Sequence, residues 1–242
     1  EGESAVLRFL RRTALVYDMK ELGLSADIER LVLEDLAVTS GVVLLTGPTG
    51  SGKTTTLYTF LSRLNREEVK IITLEDPVEY QLSGINQVQV QPSIGFDFAH
   101  GLRSVVRQDP DIIMVGEMRD KETTGIGIEA SLTGHLVFAT LHTNSAPESI
   151  TRLLDMGMDP FNFADALLGI LAQRLAKRLC SDCKQAYAPG IDEIRALVQE
   201  YCAELLHTSE FKLDRKASYE RTYQGLVANF AGAEGKFTLF KP

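Results

Sequence analysis

A glycine-rich segment from Gly47 to Thr54 contains the residue types that bind phosphate groups. It reads Gly-Pro-Thr-Gly-Ser-Gly-Lys-Thr and fits the pattern G-x-x-x-x-G-K-[ST], with an apolar run before it and a helical stretch after it. Glycines let backbone N–H groups point inward around a phosphate, while Lys53 can reach the β- and γ-phosphates and the Thr54 hydroxyl can bind Mg²⁺. The residues predicted to bind ATP and Mg²⁺ are Gly47, Pro48, Thr49, Gly50, Ser51, Gly52, Lys53, Thr54 and Thr55.

Acidic residues follow two other apolar runs. Glu75 and Asp76 end one run, and Gly116 and Glu117 end another. Because ligands bind beyond the carboxyl ends of parallel strands, both groups should face the phosphate loop. We predict Glu75 as the base that activates water and Glu117 as a Mg²⁺ partner, with Asp76 sharing the metal site. Because Gly116 stands where such strands usually carry aspartate, the swapped assignment remains open. A solvated turn at Glu75 and Asp76 is the other alternative, since Asp-Pro commonly starts turns.

Two histidines bracket a further apolar run. His135 and His142 are seven positions apart, which in a strand separates them by roughly 23 Å. Both cannot contact one phosphate. His142, at the carboxyl end, is the candidate for sensing the γ-phosphate, and His135 has a structural or coupling role at the opposite edge. Either could simply be a hydrogen-bonded histidine at a strand end.

Arginines are candidates for stabilising charge on a transferred phosphoryl group. Arg103 and Arg107 are four positions apart in a predicted helix and therefore share one face, and Arg119 closely follows Glu117. Such arginines complete active sites in ring-forming ATPases from a neighbouring subunit. Ion pairs at a subunit interface and plain solvated side chains are the alternatives, and Arg8 could end a preceding domain.

The elements that would hold these residues follow from hydrophobic patterning. Short, fully apolar runs alternate with helical stretches, which predicts an α/β fold with a mostly parallel sheet covered by helices on both faces. Alternation over residues 85–91 predicts an edge strand or a hairpin. The predicted strands comprise residues 42–45, 69–74, 112–115 and 136–141, and the predicted helices beyond Pro147 comprise residues 148–154, 161–179 and 192–206.

Composition narrows the function classes. The 242 residues carry 33 acidic and 25 basic side chains, a formal charge of −8, and this acidic balance disfavours a nucleic-acid partner. No apolar run approaches the roughly 18 residues that a transmembrane segment needs. Three cysteines do not form a disulfide framework and are typical of the reducing cytosol.

The motifs together resemble one family. Four segments occur in the order of the Walker A, Asp-box, Walker B and His-box motifs of the secretion ATPase superfamily, namely residues 47–54, 72–80, 107–120 and 134–144. The family powers type II secretion, type IV pilus extension and retraction, and type IV secretion. The resemblance implies a RecA-like P-loop fold, hydrolysis of ATP with Mg²⁺, a cytoplasmic homo-hexamer, and docking to an inner-membrane platform protein.

The cysteines add a distinction within that family. Cys180 and Cys183 resemble the first of two zinc-binding cysteine pairs found in secretion and pilus-extension ATPases, and retraction ATPases typically lack them. Cys202 stands alone, and two thiolates do not complete a tetrahedral zinc site. We expect Zn²⁺, if anywhere, in the full-length protein rather than in this chain. Two cysteines without a metal role are the alternative.

We predict three regions: the end of a preceding domain or a linker in residues 1–12, a RecA-like core in 13–147, and a helical region in 148–242 that is truncated before the second cysteine pair. We expect weak ATPase activity and poor hexamer formation from such a fragment. The predicted function is ATP hydrolysis that drives type II secretion or type IV pilus assembly. Pilus retraction, a nucleotide switch without turnover and a DNA-translocating relative are the alternatives.

Overall fold

A computed structural model of the chain describes residues 18–232 and 236–241. The chain divides into two compact units between Leu175 and Ala176. The predicted region 1–12, including Arg8, lies outside the described residues. No helix within the described ranges is both long and apolar enough to cross a membrane.

The first unit contains a six-stranded parallel sheet with the strand order β3-β2-β4-β5-β1-β6. The four central strands are buried at every position, because helices cover both faces of a parallel sheet. The strands are β1 (Gly41–Thr46), β2 (Ile71–Glu75), β3 (Asn86–Gln89), β4 (Ile112–Val115), β5 (Leu136–Leu141) and β6 (Leu167–Ala172).

Six α-helices accompany the sheet, and they bury two separate apolar cores. Successive side chains of a strand point to opposite faces, so Val42 and Leu44 of β1 join one core and Val43 and Leu45 join the other. The helices are α1 (Ala26–Asp35), α2 (Lys53–Leu64), α3 (Phe98–Val106), α4 (Lys121–Leu132), α5 (Ala146–Asp155) and α6 (Pro160–Ala166), with 3₁₀ turns at Met19–Leu22 and Pro92–Ile94.

Side-chain caps fix where several of these helices begin. Asp97, Asp120, Ser145 and Asp159 each accept a hydrogen bond from a backbone N–H in the first turn of the helix that follows. Such caps satisfy donors that have no partner inside the helix. Ser25 holds the N-cap position of α1 but makes no side-chain cap bond.

The second unit is smaller and mostly helical. Its antiparallel strands are β7 (Gln185–Tyr187) and β8 (Leu239–Lys241), and its helices are α7 (Ile191–Ala203), α8 (Ser209–Leu213) and α9 (Arg215–Phe230), with a 3₁₀ turn at Glu204–His207. Val198, Cys202 and Phe211 form its buried apolar core.

The predicted fold class and the predicted strands are confirmed, including the edge strand, which is β3. The predicted helix over residues 161–179 is wrong. The observed helix, α6, ends at Ala166, and residues 167–172 form β6, which pairs with β1. An apolar run of this length can form a strand or a buried helix segment. Pairing favours the strand here, because it satisfies the backbone groups that β1 would otherwise leave open on that side. Gly169 weakens the helical alternative further.

Candidate functional site

The phosphate loop connects β1 to α2, as the sequence predicts. Gly47 has a φ of 145° and Gly52 a φ of 87°, in the region that residues with a Cβ rarely adopt. A Cβ on Gly47 would lie 2.2 Å from the backbone oxygen of Gln173. Glycine is therefore required at position 47 both by conformation and by the close approach of the neighbouring chain.

Lys53 lies at the start of α2 with its side chain directed back at the loop. Its ammonium donates to the carbonyl oxygens of Gly47 at 2.7 Å and Pro48 at 3.2 Å. Burial lowers the pKa of Lys53, and the nearby Glu117 opposes that change. The Ser51 hydroxyl oxygen is buried without a hydrogen-bond partner among the described residues. A buried cation and an unpaired hydroxyl in a glycine-rich turn before a helix fit a phosphate group.

Glu75 is the last residue of β2 and is 3% exposed. Its Oε1 accepts from the Thr73 hydroxyl at 2.5 Å and from the Gln87 amide at 3.1 Å, and its Oε2 accepts from the Tyr58 hydroxyl. Burial, together with this hydrogen bond to Glu75, raises the pKa of Tyr58 well above its usual range. The carboxylate is thus held by three neutral donors from three elements.

Glu117, two residues beyond β4, has a different environment. Its Oε1 lies 3.1 Å from Nε2 of His142, and its Oε2 lies 2.5 Å from Nε of Arg119. The carboxylate side chain is 14% exposed, whereas His142 is 45% exposed. Glu117 therefore lies among groups that are cationic or can become so, and Lys53 is close enough to interact with it.

One cavity at the carboxyl edge of the sheet is lined by both of these carboxylates. Its lining includes the exposed Thr54 from the start of α2, Glu75 and Asp76 from the end of β2, and Glu117 and Arg119 from the segment after β4. The Thr54 hydroxyl and a carboxylate of this lining are oxygen ligands of the kind that Mg²⁺ prefers, and water and phosphate oxygens usually complete its coordination. Glu75 ends β2 and Glu117 lies two residues beyond the neighbouring β4, so both carboxylates are candidates for activating a water molecule in the cavity.

Other predicted site residues lie apart from this cavity. Arg103 of α3 pairs with Glu122 of α4, and Arg107, which caps α3, is exposed. His135 Nδ1 lies 2.8 Å from the carbonyl oxygen of Ala130, which agrees with the structural role considered for it.

The cysteine pair lies in the second unit. Cys180 and Cys183 are exposed, and backbone hydrogen bonding, chiefly from Asp182, lowers the pKa of Cys180. Within residues 18–232 and 236–241, no group of three or more His, Cys, Asp or Glu side chains could hold a metal ion. The half zinc site stays a prediction for the full-length protein.

Sequence reasoning missed three residues at this edge of the sheet. Tyr58 and Gln87 hold Glu75, and Gln173 contacts the phosphate loop. The alternation over residues 85–91 could have indicated that Gln87 faces the same side as an active-site carboxylate. No pattern in the sequence signals the roles of Tyr58 and Gln173, because their partners are distant in the chain.

A glycine-rich phosphate loop between the first strand and helix of a parallel sheet defines a P-loop nucleotide-binding protein. The family model described as "Type II/IV secretion system protein" matches residues 1–231, and the chain belongs to that family. This membership and the structural likenesses below confirm the predicted secretion ATPase family and its RecA-like fold.

Two relatives show the extent of the likeness. The chain is 56% identical over 193 residues to type II secretion system protein E of Xanthomonas campestris pv. campestris, covering 80% of the chain and 34% of the relative. It is 55% identical over 192 residues to the type IV pilus assembly ATPase PilB of Myxococcus xanthus, covering 79% and 34%. The chain therefore spans about a third of the length of these relatives.

Solved structures are similar over most of the chain. The pilus retraction motor PilT with bound ADP superposes with a TM-score of 0.61 at 40% identity, covering 68% of this chain and 50% of that one. The ATPase DotB of Legionella pneumophila gives a TM-score of 0.57 at 28% identity, covering 80% and 56%.

Proposed function

We propose that this chain is the catalytic part of a Mg²⁺-dependent ATPase that drives type II secretion or type IV pilus assembly. The observation that carries the proposal is the cavity shared by Thr54, Glu75 and Glu117 beside the phosphate loop. The relatives named type II secretion system protein E and PilB support the choice of process.

The surroundings of each residue suggest which part of the reaction it carries out. Lys53 and the loop N–H groups bind the phosphates, and Thr54 and Glu117 hold the cation, with Asp76 at the exposed rim. When bound, Mg²⁺ neutralises charge on the phosphoryl oxygens. Glu75 accepts a proton from the attacking water, because its Oε2 has one protein donor and keeps a free lone pair.

His142 and Arg119 are the partners of the second carboxylate, Glu117. Both contact Glu117 and remain largely exposed, at 45% and 67% of their side chains. They can therefore turn towards a phosphate when the site is loaded. His142 is the proposed sensor of the γ-phosphate, and Arg119 orients Glu117 or meets a neighbouring subunit.

The proposed working form is a cytoplasmic homo-hexamer that docks to an inner-membrane platform protein. Arg107, exposed at the end of α3, is a candidate for reaching a neighbouring site, and Arg103 would first have to leave its ion pair with Glu122. Assembly is preferred over retraction because the chain carries Cys180 and Cys183. The chain is also 55% identical to PilB over 79% of the chain's length, and 40% identical to the retraction motor PilT over 68% of it.

Glutamine substitutions at the two carboxylates test the assignment. For Glu75→Gln we expect MgATP binding within about threefold of wild type and phosphate release reduced by about 10²- to 10⁴-fold, the usual contribution of a general base. For Glu117→Gln we expect instead that more Mg²⁺ is needed for half-maximal turnover. Lys53→Ala should lose nucleotide binding.

The exposed Glu200 of α7 supplies a matched control, and Glu200→Gln should leave binding and turnover unchanged. Unchanged turnover in Glu75→Gln would remove Glu75 as the base. If Glu117→Gln instead lost turnover at every Mg²⁺ concentration, the two roles would be exchanged. Wild-type binding without any phosphate release over a range of chain concentrations would favour the nucleotide switch.

A further inference from the structure

Gln173 is the first residue after β6, and its hydrogen bonds reach both ends of the phosphate-binding segment. Its backbone N–H donates to the Thr46 carbonyl at 2.8 Å. Its side-chain amide donates to the Ser51 carbonyl at 2.8 Å and accepts from the Thr56 hydroxyl, also at 2.8 Å. One side chain thus bridges the loop before Lys53 and the helix after it.

The two phosphate-loop glycines make room for this bridge. A Cβ on Gly52 would lie 2.8 Å from the Gln173 amide nitrogen, and a Cβ on Gly47 would lie 2.2 Å from its backbone oxygen. The close packing of Gln173 against both glycines means that the loop cannot shift towards β6. Glycine at these positions therefore serves the contact with Gln173 as well as the turn.

The bridge fixes the orientation of one peptide group. In a planar trans peptide the C=O and the following N–H point in opposite directions. Because the Ser51 carbonyl is directed at Gln173, the N–H of Gly52 points away from it, into the opposite side of the loop. That N–H is among the donors that a loop of this kind offers to a phosphate.

We infer that Gln173 is a positioning residue that holds the phosphate loop in its binding shape before nucleotide arrives. The inference rests on the proposed function, since it assumes that the loop binds a nucleotide phosphate. An amide suits the position because it donates and accepts from one planar group. Glutamate could not donate to the Ser51 carbonyl, and leucine could do neither.

The test compares variants of the whole 242-residue chain. Gln173→Ala removes both side-chain bonds, Thr56→Val removes one while keeping the shape of the side chain, and Thr56→Ser keeps the hydroxyl. Gln199→Ala is the matched control, because the Gln199 side chain of α7 is exposed and makes no hydrogen bond among the described residues. MgATP and MgADP affinities are measured by calorimetry, and backbone N–H exchange is measured without nucleotide.

We expect Gln173→Ala to bind both nucleotides about tenfold more weakly, the effect of one to two net hydrogen bonds. Thr56→Val should weaken binding about threefold, and Thr56→Ser and Gln199→Ala should bind as wild type. Exchange at residues 49–52 should quicken in Gln173→Ala while exchange within β5 stays slow. A purely structural role would quicken exchange in both places and leave the affinity of folded protein unchanged.

Wild-type affinity and loop exchange in Gln173→Ala would overturn the inference while leaving the proposed function intact. If Gln173→Ala does not fold, wild-type affinity in Thr56→Val overturns it, because that variant keeps the packing and loses only the hydroxyl. A wild-type chain that binds neither nucleotide would overturn the proposed function and this inference with it. If Lys53→Ala loses binding while the Gln173 and Thr56 variants bind as wild type, only the inference about Gln173 fails.

Discussion

Replacing Tyr58 by phenylalanine removes one oxygen atom from the most buried part of the site. Tyr58 is 2% exposed and donates its hydroxyl to Oε2 of Glu75. Its ring also packs edge-on against Tyr80, with the centroids 4.7 Å apart. Phenylalanine keeps that ring contact, so Tyr58→Phe removes only the hydrogen bonds of the hydroxyl, which are the one to the carboxylate and a longer one, at 3.4 Å, from the Gln87 amide.

The size of the effect follows from the burial of the acceptor. A hydrogen bond to a charged group contributes about 1.5–3 kcal/mol, and a carboxylate that is only 3% exposed has little access to water that could replace the lost donor. Glu75 keeps its bonds from Thr73 and Gln87. We expect Tyr58→Phe to lower the free energy of unfolding by about 1.5–3 kcal/mol at pH 7, or by about 3–12 °C in Tm.

The assay must report on the first unit alone. We would follow unfolding by circular dichroism with and without MgATP, and take the transition that MgATP raises as that of the first unit. In a Glu75→Gln background the same substitution should cost only about 0.5–1.5 kcal/mol, because the acceptor is then neutral. Tyr201→Phe is the control, since Tyr201 is 59% exposed.

The pH dependence supplies a second readout with a defined sign. Burial, and then the bond to Glu75, raises the pKa of Tyr58. Its contribution to stability is therefore complete below the unfolded-state pKa of about 10 and is lost as the pH rises above that value. Wild type should lose stability above pH 10 more steeply than Tyr58→Phe, by up to about 1.4 kcal/mol per pH unit. Equal slopes, or an equal cost in both Glu75 backgrounds, would refute the reasoning.

Two further predictions concern other parts of the chain. Gly47→Ala should abolish MgATP binding and cost at least about 2 kcal/mol of stability, because its φ is 145° and the added Cβ would lie 2.2 Å from a backbone oxygen; calorimetry and thermal unfolding measure both, and Gly190→Ala, with open space around its Cβ, should change neither. Titration of the native chain with a thiol reagent should modify Cys180 and Cys183 at once and Cys202 only after unfolding, because Cys202 is 0% exposed; three fast thiols in the native chain would contradict the buried placement.

Local sequence signals were sufficient for the nucleotide end of the fold. Residues 42–45 are apolar at every position, which is typical of a strand inside a parallel sheet, and the glycine-rich segment that follows, ending in Gly-Lys-Thr, specifies the turn into α2. The carboxyl-edge rule then predicted that Glu75 and Glu117 lie on the same side as the loop. The structure places both in one cavity with Thr54, and their chemical roles stay predictions.

Long-range pairing was beyond those signals. Residues 167–172 are apolar enough for either a helix or a strand, and only the open side of β1, more than a hundred positions earlier in the chain, decides for the strand. Gln173 and its partner Ser51 are separated by 122 positions, and Tyr58 and Glu75 belong to different elements. Hydrogen bonds of this kind leave no periodic trace in a sequence, because each needs only one polar residue at one place.

The two carboxylates differ in the kind of partner that surrounds them, and this difference bears on their roles. Glu75 is held by neutral hydroxyl and amide groups, so its charge is not cancelled before the nucleotide arrives. Glu117 is already close to a guanidinium and an imidazole, and it also opposes the lowered pKa of Lys53. Glu117 can bind Mg²⁺ only if its present partners, Arg119 and His142, turn to the phosphates when the metal ion enters. The exposure of His142 and Arg119 allows them to turn to the phosphates, whereas the buried Tyr58 and Thr73 keep the position of Glu75 fixed throughout.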